Sequence, residues 1–170
     1  MTRALRRHNR GAAAAEMALV LPILLALIFG ALEVGNYFRS EHVLIKGVRD
    51  GAVYAARQEI SNYDCSVPSP TVPATVVNDS KALVRTGQLS GGTDRLPLWT
   101  DGSTSFTITA DCVTTAGGTT LLGIYQVNGG NVPVITVTAD LPYQSVVGML
   151  GFATTGLRVR AAQQAVVIGA

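Results

Sequence analysis

From Met17 to Leu32 the chain carries no charge and is mostly Leu, Ile, Ala and Val, with Glu16 just before the run and Glu33 just after it. Ala12 to Ala15 extend the helix-forming tract backwards. At 1.5 Å per residue, a helix from Glu16 to Glu33 spans roughly 25 Å, slightly less than the ~30 Å hydrocarbon core of a bilayer. Ala12 to Ala15 or Val34 to Phe38 supply the missing length, so a transmembrane segment is expected over about residues 17–38. Beyond it, Val34, Tyr37, Phe38, Leu44, Ile45, Val48, Ala52 and Ala55 recur at spacings of three and four. That period predicts a helix continuing to about Ile60, with an apolar stripe to pack against the domain that follows. Gly47 and Gly51 on this stretch either permit a close helix approach or are neutral.

The pattern changes after residue 60. Asn62, Pro68, Pro70 and Pro73 among Ser and Thr mark residues 61–75 as a linker. A short helix is expected at Val76–Leu89, stopped by Gly91 and Gly92. Strand-like runs follow at Ser105–Val113, Thr119–Val127, Asn131–Leu141 and Leu157–Ile168, the last readable as strand or helix. Alternation in Phe106, Ile108 and Ala110, and again in Val132, Val134, Ile135 and Val137, predicts a meander with one face on the helix. The expected fold is α+β: a long N-terminal transmembrane α-helix, a pilin-like spine, packed on a small antiparallel β-sheet. Its organisation is a basic leader (1–11), a long helix (12–60), a linker (61–75) and an extracytoplasmic α+β domain (76–170).

Composition sharpens the membrane reading. Of the 170 residues 48% are hydrophobic and only 14% charged, which is lean for a purely soluble domain. Arg3, Arg6, Arg7 and Arg10 supply four positive charges before residue 11 with no acid among them, although the formal net charge is only +2. Basic residues confined to a leader before an apolar run are a topology signal; a nucleic-acid site needs them spread over a folded face. The positive-inside bias puts the N-terminus in the cytoplasm and residues from about 39 onward outside, with membrane lipid as a partner and no nucleic acid. A cleaved secretory signal shares these regions, but candidate cleavage points near Gly30 and Gly35 put Ile28 or Glu33 where a small side chain is wanted. An uncleaved anchor, or one processed on its cytoplasmic side, fits better.

Glu16 makes the anchor more specific. A carboxylate one position inside a transmembrane run costs about 2.5–3.5 kcal/mol unless something satisfies it, so it either sits solvated at the headgroup boundary or meets a cation. The stretch Arg10, Gly11, four alanines, Glu16, Met17, Ala18, Leu19, Val20, Leu21, Pro22 resembles the prepilin processing motif, a glycine, four residues, then glutamate. More specifically it resembles the TadE-like family of tight-adherence pilus proteins, over residues 10 to about 60. The resemblance implies cleavage between Gly11 and Ala12 by a membrane aspartyl peptidase, the prepilin peptidase. It also implies that Glu16 pairs with the free amine of a neighbouring subunit, so that subunits align in a helical bundle. An ammonium and a carboxylate attract strongly in a low dielectric, and either is expensive alone. Pro22 removes the amide that would bond the Ala18 carbonyl; it either softens the helix for extraction from the bilayer or is a plain kink.

Cys65 and Cys112 are the only cysteines, and outside the cytoplasm an even pair favours one disulfide pinning the linker to the first strand, with free buried thiols as the alternative. Two sulfurs, with His8 and His42 on the wrong element or side, do not make a metal site. No cofactor is implied; both histidines fall outside the globular region, and no carboxylate pair or phosphate loop suggests an enzyme. Asp101 to Ser105 spell a pattern resembling a divalent-metal adhesion motif, but it precedes a strand instead of following one, so it reads as a polar turn; the Asn78–Ser80 sequon likewise reads as a surface turn. The expected protein is a pilin-like minor subunit, a pseudopilin, in the bacterial inner membrane, either primed for assembly there or incorporated in the pilus. Its expected partners are other pilin-like subunits, the pilus assembly machinery and the prepilin peptidase. A membrane-anchored extracytoplasmic adhesin or binding module is the alternative.

Overall fold

A computed structural model describes residues 5–100, 102–114, 123–149, 151 and 156–169, with side chains from residue 11 onward. Helix α1 runs from Leu5 to Ala56 and continues through Pro22. The chain divides into two compact units, residues 1–38 with 145–154 and residues 39–144 with 155–170, and α1 contributes to both.

In the second unit α1 buries one stripe: Leu44, Gly47, Val48, Gly51, Ala52, Ala55 and Ala56. Ile45, predicted on that stripe, is exposed. The helix stops at Ala56, short of Ile60, because its last carbonyls find other donors. Tyr54 O accepts from Arg57 N–H (3.1 Å) and Gln58 Nε2 (3.2 Å), Ala55 O from the buried Tyr63 hydroxyl (2.7 Å), and Ala56 O from Ile168 N–H (2.8 Å). Burial, chiefly, pushes the Tyr63 phenol up to about 12, so it stays a donor.

Helix α2, Ala74–Thr86, crosses α1 at its glycines. A Cβ on Gly47 would lie 2.7 Å from the Val84 carbonyl oxygen, and one on Gly51 2.7 Å from Val84 Cγ2 and 3.1 Å from Ser80 O. Of the two readings of these glycines, close approach is the one the fold uses. The Tyr54 hydroxyl adds a 2.7 Å hydrogen bond to Asp79 Oδ2. Asn78–Ser80 therefore lies in α2 with Ser80 fully buried, which corrects the surface-turn reading. The helix also ends before Gly91 and Gly92: Gly87, at φ 82°, returns its N–H to Leu83 O at 2.9 Å. Arg95 folds its guanidinium over that glycine and reaches Asp50 at 3.0 Å, and the positive φ at residue 87 is one that L side chains rarely adopt.

Strands β1 (Ser105–Val113), β2 (Val132–Pro142) and β3 (Arg158–Val166) form an antiparallel sheet in the order β1-β2-β3. The register sets Ala110 opposite Ile135, Ala139 opposite Ala161 and Leu141 opposite Val159, all buried on one face. The final run, readable either way in sequence, is a strand because it completes this ladder. The expected strand at Thr119–Val127 is not one: its described part is a 3-10 helix, Gly123–Asn128, while residues 115–122 lie outside the described residues. Side chains hold that turn instead of a ladder. Asn128 Nδ2 donates to Tyr63 O (3.0 Å) and the Tyr125 hydroxyl to Val167 O (2.9 Å).

The linker lies along the free edge of β1. Cys65 and Cys112 form a disulfide with Cα atoms 5.7 Å apart, Cys112 N–H donates to Pro68 O (2.7 Å), and the Ser69 hydroxyl donates to Asp111 Oδ1 (2.7 Å). An edge covered this way is a poorer template for strand addition. Asp140 is buried at the end of β2 yet takes hydrogen bonds from both Arg158 and Arg160 (Nε at 2.8 Å). Burial raises its carboxyl, but the two guanidinium hydrogen bonds and their charges outweigh that and hold it below the usual carboxylate range.

Candidate assembly segment

The residues singled out for processing and assembly, Gly11, Ala12, Glu16 and Pro22, all lie on α1 in the first unit. From Gly11 to Leu32 every residue is exposed, including Leu19 at 74% and Leu27 at 67%. Nothing lies within 4 Å of a Cβ placed on Gly11, Gly30 or Gly35. An apolar helix bare on all sides burdens a soluble protein with exposed oil; this one is long and apolar enough to cross a membrane.

Gly11–Ala12 falls inside the helix, where glycine costs about 1 kcal/mol relative to alanine. Ala12 and Glu16, four residues apart, stack on one face a single turn from each other. Glu16 is exposed there, which leaves its carboxylate available to a group from outside the chain.

Sequence reasoning missed a partner of Glu33. Helix α3, Val146–Met149, belongs to the same unit, and its Val147 N–H donates to Glu33 Oε2 at 2.9 Å. Ser145, buried just before α3, accepts the Gly148 N–H on its hydroxyl at 2.9 Å, a helix N-cap. A serine three residues ahead of a glycine was too weak a signal to find this turn, and no local pattern links residues 114 apart.

Among the described residues no three His, Cys, Asp or Glu side chains gather to hold a metal ion. Ser103 lies in the turn before β1, where its carbonyl accepts Arg158 Nη2 at 2.9 Å; Asp101, first in the pattern noted there, lies outside the described residues. Neither the curated proteins nor the solved structures contain a match to this chain. Residues 11–53, all of them within α1, match the family described as TadE-like protein, so the likeness read from Gly11 and Glu16 is to that family and is carried by this helix.

Proposed function

We propose that the chain is a pilin-like minor subunit, a pseudopilin, that takes part in assembling tight-adherence pili at the bacterial inner membrane. The observation that carries this is the bare apolar stretch of α1, matched to the TadE-like family, with Glu16 five residues after Gly11 at its start. The basic leader stays in the cytoplasm and the sheet-bearing unit is extracytoplasmic, following the positive-inside bias. Prepilin peptidase cuts between Gly11 and Ala12. The new ammonium of one subunit then meets Glu16 of its neighbour in a low-dielectric bundle, where the pair sets the axial register. The partners are other pilin-like subunits and the assembly machinery.

Mass spectrometry of the mature N-terminus tests the processing step. The expected start is Ala12 in cells with the peptidase, with an intact leader in cells lacking it. A start beyond residue 30 would make the helix a secretory signal and end the proposal.

A further inference from the structure

We propose that residues 145–149 form a second, shallow membrane contact, seated at the acyl–headgroup boundary on the Glu33 side of the bilayer and latched to α1 by that carboxylate. The inference rests on reading α1 as a membrane span. If Glu16 marks one boundary, the Glu33 carboxylate lies roughly 25 Å along the helix, a few ångströms inside the far edge of a ~30 Å hydrocarbon core. Val147 hydrogen-bonds to that carboxylate, which fixes α3 at this depth in the same compact unit.

The turn suits a lipid surface better than water. Its side chains are Val146, Val147 and Met149, and Met149 is 74% exposed among the described residues. No charged residue occurs between Asp140 and Arg158. The N–H groups of Val147 and Gly148 are already taken by Glu33 and Ser145, so they need no water. At the acyl–headgroup boundary the remaining backbone groups of the turn stay within reach of water, which irregular backbone in the hydrocarbon itself would lack. Phe29 and Leu32, in the turns of α1 before Glu33, are exposed and apolar as well. A neighbouring subunit's helix is the competing occupant, and tryptophan quenching from the lipid and from the water separates the two.

The full chain is reconstituted in phospholipid vesicles as Met149→Trp and, separately, as Leu24→Trp, whose position lies in the middle of the apolar run. Trp99, the native tryptophan, is buried in the other unit and gives the background emission, measured on the unsubstituted protein. The expected result is a blue-shifted emission from Met149→Trp that is lost in vesicles whose acyl chains are brominated near the headgroup, and one from Leu24→Trp that is lost in vesicles brominated near the acyl-chain ends. If aqueous iodide quenches it and brominated lipid does not, while Leu24→Trp is quenched by lipid, the helix spans and the shallow contact is refuted. If emission is blue-shifted yet insensitive to both quenchers, protein covers the turn and the lipid assignment is refuted. If Leu24→Trp also escapes lipid quenching, the membrane reading itself fails, and this inference with it.

Discussion

Two carboxylates bracket the apolar run and meet different fates. Glu33 accepts the Val147 N–H, whereas Glu16 stands exposed on a helix face it shares with Ala12. If Glu16 works by pairing with a released amine, glutamine keeps its size and removes what matters. Breaking a buried pair by neutralising one partner costs about 3–5 kcal/mol. Glu16→Gln is therefore expected to cut pilus number by at least about tenfold with the protein still in the membrane, counted by electron microscopy beside a membrane blot. Undiminished pili would end the electrostatic account. Asp140 is the corresponding charged centre of the sheet-bearing unit. Its folded pKa is depressed, so its contribution is present above the ordinary carboxylate pKa of about 4 and is lost as pH falls through the lower folded value. Because both guanidiniums are substantially exposed, Asp140→Asn is expected to cost only about 1–2 kcal/mol near neutral pH. Thermal unfolding followed from pH 7 to about 3 should show a gap between variant and parent that narrows with acid.

At the scale of elements, the crossing of α1 and α2 depends on what two positions lack. Gly47→Ala gains up to about 1 kcal/mol of helix propensity but drives a methyl against the Val84 carbonyl, and overpacking of that kind costs about 1–3 kcal/mol. A net loss of stability is expected in circular-dichroism melts of the full chain in detergent. Gly35→Ala on the same helix, with nothing within 4 Å, is expected to melt no earlier than the parent. Equal behaviour of the two variants would mean that the helices do not cross at Gly47. These glycines were visible in the sequence, but their spacing alone left close approach and neutrality open. A second helix had to be seen against them, because a missing side chain has meaning only through its neighbour.

At the scale of the whole molecule, the 47-residue separation of Cys65 and Cys112 makes the disulfide the longest-range covalent tie in the chain. In the chain-entropy model a loop of that size contributes about 4 kcal/mol by restricting the unfolded ensemble. The double variant Cys65→Ser with Cys112→Ser, or the reduced protein, is expected to unfold at markedly lower denaturant, with the helix content of α1 in detergent little changed. A denaturation midpoint unaltered by reductant would refute the stabilising role.

What the sequence determined by itself is what its local patterns encode. The uncharged run from Met17 to Leu32, the acids at its ends and the arginines ahead of it define the apolar helix, because transfer from water to oil depends on composition along one segment. Period-two alternation likewise placed β1 and β2 to within a residue or so, since one face of each must be buried. Tertiary structure decided the rest. Gly123–Asn128 is a turn and not a strand because Tyr63 O and Val167 O lie where the side chains of Asn128 and Tyr125 can reach them. A helix is expected over Val76–Leu89, but that its Ser80 is buried, where α2 crosses Gly51, comes only from the fold. The turn at Val146–Met149 has a partner only because Glu33, distant along the chain, is brought to its first N–H groups. Hydrogen bonds and close contacts between remote residues form only when the chain has folded, and no local pattern carries them.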